Sequence, residues 1–66
     1  MTEAQRIARR VRIAYDRFHR TGNAAPLAPL RAEVSRAWLA AHADRDGCAQ
    51  FWLNAASARL DEALNP

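Results

Sequence analysis

The sequence predicts an all-α fold: a short helical hairpin or three-helix unit, paired into a homodimeric helical bundle. Three observations predict it. Apolar residues recur at spacings of three and four from Ala4 to Leu64, the signature of amphipathic helices. Two clusters of turn formers interrupt that recurrence, around Gly22–Pro29 and at Asp44–Gly47. No segment alternates apolar and polar residues as a half-buried strand does. The expected helices cover about residues 3–21, 29–43 and 47–64 of one small domain, 1–66.

The first helix opens on Thr2-Glu3-Ala4-Gln5. In this capping-box pattern the threonine hydroxyl accepts from the Gln5 amide and the glutamine side chain reaches back. Ala4, Ile7, Ala8, Val11, Ala14, Tyr15 and Phe18 then form one apolar stripe. The helix should end near Thr21, where Gly22 can take the left-handed conformation that closes helices, and Asn23 can cap the turn that follows. Proline suits the first turn of a helix but not its interior, so the second helix starts around Pro26 or Pro29 and runs to about Ala43. Its stripe is Leu27, Leu30, Val34, Ala37, Trp38 and Ala41. Asp44-Arg45-Asp46-Gly47 makes the second turn, with Asp46 as the cap of the third helix. That helix carries a main stripe of Ala49, Trp52, Leu53, Ala56, Leu60, Ala63 and Leu64, and a second apolar patch at Phe51, Ala55 and Ala58. Two apolar faces on one helix call for two neighbours, one of which can belong to another chain. Tyr15 and Phe18 are expected to pack against Trp38, Phe51 and Trp52.

A chain of 66 residues lies near the lower limit for independent folding. Small folds usually add a disulfide, a metal or a second subunit. Cys48 is the single cysteine, and His19 and His42 lack the spacing of zinc ligands. That leaves self-association, hence the expected homodimer. No cofactor is implied. No apolar run approaches the length of a membrane span, and Arg6, Arg9, Arg10 and Arg12 interrupt any signal-peptide core. With a free thiol, this predicts a cytoplasmic protein.

The net charge of +3 is unevenly distributed. Residues 1–21 hold six of the ten arginines against two acids, whereas the rest of the chain is slightly acidic. Every basic residue is arginine, which codon usage in a GC-rich genome explains, although guanidinium groups also bind carboxylate and phosphate bidentately. Arg6, Arg9, Arg10, Arg17 and Arg20 gather opposite the apolar stripe, with Ile13 among them. Such a face can be a solvated helix side, a track for phosphates, or a protein-binding patch with an apolar anchor and a charged rim. Trp38, Phe51 and Trp52 supply most of the bulky aromatic surface, either to the core or to a partner.

Other chemistry finds little support. As a helix-turn-helix, the third helix would present apolar residues where a recognition helix needs polar ones, and Asp61 and Glu62 where it needs bases. Cys48 and His42 lack an oxyanion loop or cleft that would make them a nucleophilic pair. Asp44-Arg45-Asp46-Gly47 lacks the later ligands of a calcium loop. No enzymatic activity is expected.

The helical profile from Ile7–Phe18 through Trp38 to Phe51-Trp52 resembles the small host-takeover proteins of temperate bacteriophages, most of all the anti-quorum-sensing type. That resemblance implies a dimer that binds and disables a host regulator, such as a quorum-sensing transcription factor, and that can engage a pilus-assembly ATPase. The expected function is a non-enzymatic protein-binding regulator or inhibitor, with Arg9, Arg10, Ile13, Arg17, Trp38, Phe51 and Trp52 as partner-binding residues. The alternative is a basic helical protein that contacts nucleic-acid phosphates through the arginines of the first helix.

Overall fold

Three helices run up, down and up: α1 (Glu3–Thr21), α2 (Leu27–Ala43) and α3 (Gly47–Leu64). The structure, a computed structural model, describes residues 1–65. Among these residues there is no strand. Among the same residues, no helix is long and apolar enough to cross a membrane.

Local chemistry sets the ends of each element. Thr2 and Gln5 form the reciprocal capping box, with the Gln5 amide donating to Thr2 Oγ1 at 3.2 Å and the Thr2 amide to Gln5 Oε1 at 3.0 Å. Gly22 closes α1 at φ 73°, its amide donating to the Phe18 carbonyl. Asn23 Oδ1 accepts from the Ala25 amide, a local turn that leads into α2. The helix α2 begins at Leu27 with Pro26 as its N-cap, matching the earlier of the two expected starts, Pro26 and Pro29, and two residues ahead of the later. Pro29 falls in its first turn, where a backbone N–H would have no partner inside the helix, so proline causes no break.

The turn between α2 and α3 is a Schellman closure. The Asp46 amide donates to the Ala41 carbonyl and the Arg45 amide to the His42 carbonyl. The left-handed residue is Arg45, at φ 54°. Gly47, the conformationally free residue of this turn, is already the first residue of α3. Asp46 caps that helix by accepting from the Ala49 amide at 3.1 Å.

The core is one cluster in which Ile7, Val11, Leu27, Val34, Leu53 and Leu60 are the most deeply packed large residues. Alanines at 4, 8, 41, 56 and 63 fill the gaps and bring the backbones close. Ala14, Tyr15, Phe18, Ala37 and Trp38 pack at its margin. The central element is α3, which packs along both other helices, while α1 and α2 touch less.

Polar pairs tie the seams on the outside. Arg10 forks onto Glu33 across α1 and α2, at 2.5 and 3.0 Å. Arg31 reaches Asp61 across α2 and α3 at 2.6 Å. The Tyr15 hydroxyl donates to Glu62 across α1 and α3 at 2.7 Å. Exposed pairs of this kind add about 0–1 kcal/mol each, so they fix register more than they stabilise.

The expected packing of Tyr15 and Phe18 on the tryptophans does not occur. Both stand beside His19, and Tyr15 is held by Glu62, near the end of α3. Phe51 and Trp52 belong to the beginning of that helix. Because α1 and α3 run parallel, the two groups lie at opposite ends of the bundle. Trp38 instead stacks on His42, with centroids 5.0 Å apart and planes 9° apart.

Candidate functional site

Phe51 is 67% exposed and Trp52 40% exposed, although both sit in the second turn of a helix that packs on two others. Their positions explain the exposure. Leu53, Ala56, Leu60 and Ala63 take the side of α3 that faces both neighbours. Phe51, Ala55 and Trp52 fall outside that stripe, on the flank that borders α1. The two rings meet edge to face, with centroids 5.7 Å apart and planes 74° apart.

On the other side of the seam, α1 presents Gln5, Ala8, Arg9 and Arg12. Together with Met1, Phe51, Trp52, Ala55 and Arg59 they line an open groove of about 700 Å³. One end is apolar, built from Met1, Phe51 and Trp52. The other end is basic. Arg12 and Arg59 each precede a member of the Tyr15–Glu62 pair by three residues, so they stand at the same height on parallel helices. Among the described residues, neither they nor Arg9 makes an ion pair. Among the same residues, no acidic side chain lines the groove.

The Tyr15 phenol, one turn beyond the basic end, is raised above its ordinary range. Its hydrogen bond to Glu62 is the main cause, followed by partial desolvation and the Glu62 charge, while Arg59 acts in the opposite direction.

Only three of the seven residues expected to bind a partner, Arg9, Phe51 and Trp52, converge here. Arg10 faces α2 and is engaged by Glu33. Ile13, 46% exposed, and Arg17 lie on the outer side of α1, away from the groove. Trp38 is half-buried on the far side of the bundle. Its indole N–H is enclosed without an acceptor among the described residues. Trp52, although on the apolar stripe of α3, lies at the edge of that stripe beside α1 and is part-exposed in the groove rather than enclosed in the core.

Sequence reasoning misses Arg12 and Arg59 as site residues, though both leave a trace in the sequence. Arg12 stands apart from the arginine cluster on the wheel of α1. Arg59 follows Phe51 and Ala55 at four-residue spacing, which places all three on one face.

Two other hollows differ in character. Between α2 and α3, Val34, Ser35, Trp38, Leu39, Asn54 and Ser57 line an uncharged one of about 320 Å³, beside Leu39 at 63% exposure. At the end of the bundle, Ala37, Ala40, Ala41 and Ala49 line a third with Glu3, Asp44 and Asp46 at its margin. Cys48 is exposed and free. Among the described residues, no group of three or more His, Cys, Asp or Glu side chains is placed to hold a metal ion.

No protein-family model, curated protein or solved structure matches this chain.

Proposed function

We propose that this chain is a non-enzymatic, protein-binding regulator that acts in the cytoplasm by covering a surface of its target. The observation that carries the reading is the groove of α1 and α3: exposed Phe51 and Trp52 beside Arg9, Arg12 and Arg59. Aromatic anchors of this kind supply most of the affinity of a protein interface, and arginines at the rim steer encounter. A hydrophobic ring left in water on a chain this small is also an aggregation risk, which a binding role explains. The resemblance to temperate-phage takeover proteins suggests the type of target, a bacterial host regulator such as a quorum-sensing transcription factor.

The homodimer belongs to the same reading. Isologous pairing places a patch against its own copy, so a groove lined by three arginines is ill suited to it. The uncharged α2–α3 face around Leu39, Ser35, Asn54 and Ser57 meets no such repulsion. We assign self-pairing to that face.

The reading is tested by affinity capture of the tagged chain from a nuclease-treated bacterial lysate, with mass spectrometry of what is retained. One near-stoichiometric protein is expected, and it should persist in moderate salt. Retention of nucleic acid alone, lost as salt rises, would replace this reading with the phosphate-binding one.

A further inference from the structure

The three helices meet along seams, and the polar closures of those seams differ at one place. Arg10–Glu33 closes α1 on α2, Arg31–Asp61 closes α2 on α3, and Tyr15–Glu62 closes one stretch of α1 on α3. One turn nearer the N-terminal ends of α1 and α3, Arg12 and Arg59 flank the groove at one height with no carboxylate between them among the described residues. Two like charges held across a seam favour whatever brings negative charge to it.

From this contrast we propose that the α1–α3 groove receives an acidic amphipathic helix of a partner protein. Its apolar side chains would rest on Met1, Phe51 and Trp52, and its carboxylates would meet Arg9, Arg12 and Arg59. The inference rests on the protein-binding reading and names the chemistry of the partner. Parallel helices in contact leave between them the groove into which a further helix packs. From Phe51 to Arg59 the lining spans about two turns of α3, roughly 12 Å at the helical rise. The division into an apolar end and a basic end sets the polarity of the occupant's own pattern.

Two features favour a peptide over a nucleic acid. Phe51 and Trp52 meet at 74°, so they do not offer successive parallel platforms to stacked bases. Apart from the arginines, only the Gln5 amide and the Trp52 indole N–H are polar side-chain groups of the lining residues among the described residues, which gives base edges little to bond. A second copy seated through the same patch would bring three further arginines and no carboxylate to the groove.

The experiment is a titration of the isotope-labelled chain with four probes, followed by amide chemical shifts and Trp fluorescence. The probes are a Leu/Glu amphipathic peptide of about 14 residues, its scrambled form, a Leu/Lys counterpart, and an oligothymidine of about 12 nucleotides. The Leu/Glu helix is expected to bind best and to shift amides of residues 5–12 and 51–59. The R12E/R59E chain should bind it at least about tenfold more weakly and prefer the Leu/Lys peptide. F51A should lose binding while its circular dichroism is unchanged. Equal binding of the scrambled peptide, shifts confined to other faces, tighter binding of oligothymidine, or no response to any probe would overturn the proposal. A lysate protein that stays bound to a chain carrying F51A, R12E and R59E would also overturn it, yet would leave the protein-binding reading standing. Capture of no protein by the wild-type chain would remove that reading itself.

Discussion

Neighbouring residues on α3 separate the core from the site. Leu53 is 1% exposed and Phe51 is 67% exposed. Leu53→Ala removes buried surface and leaves a cavity, a loss of about 2–5 kcal/mol. A core of this size supplies roughly 3–5 kcal/mol, so thermal denaturation should find the variant largely unfolded. Phe51→Ala removes a ring that lies mostly in water, and its Tm should match the wild type within the roughly 0.5 kcal/mol typical of surface changes. A large loss of stability in Phe51→Ala would mean that the ring belongs to the core. Tyr15 allows a different test. Its raised phenol holds its proton more tightly in the folded chain than in the unfolded one, chiefly through Glu62. The resulting stabilisation is present below the ordinary tyrosine value of about 10 and is lost as pH rises through the raised value. Glu62→Gln should move the tyrosinate absorbance transition downward in pH; an unchanged transition would show that Glu62 does not hold the proton.

At the scale of the element, the turns give the most direct expectations. Gly22 at φ 73° has open space where a Cβ would stand, so Gly22→Ala is strained only by backbone conformation, by about 1–2 kcal/mol. Gly47 is helical and equally uncrowded, so Gly47→Ala should stabilise by about 0.4–1 kcal/mol. Denaturant unfolding of the two variants should move in opposite directions, and a shared direction would contradict the assigned turn geometry. Much of this is readable in the sequence. Thr2 and Gln5, Gly22 and Asp46 announce their caps because each motif lies within a few residues. The apolar stripes identify Ile7, Val11, Leu30, Val34, Leu53 and Leu60 as core for the same reason. The left-handed position of the second turn falls on Arg45, where the amides of Arg45 and Asp46 close the carbonyls of His42 and Ala41, and no glycine marks it in the sequence. The site is half legible. Exposure of Phe51 and Trp52 depends on which flank of α3 meets α1, and that is set by helix register across the seam. Arg10 similarly loses its place in the site to Glu33, a partner distant in sequence.

The whole molecule is small, measuring 36 × 22 × 15 Å between Cα extremes, and its surface hollows are open grooves rather than enclosed cavities. Those grooves differ in charge: arginine-lined between α1 and α3, uncharged between α2 and α3, and acid-margined at the end of the bundle. The separate roles proposed for the faces rest on that difference. Leu39→Arg should shift the chain from dimer to monomer in sedimentation equilibrium without affecting capture of a partner by the arginine groove. A monomeric wild type, or a variant that remains dimeric, would contradict the assigned pairing face. The most direct test of the binding role is side-by-side capture from nuclease-treated lysate by the wild-type chain and by Phe51→Ala. One protein should be retained by the wild type and absent from the folded variant; retention of the same protein by both would contradict a partner site at the α1–α3 groove.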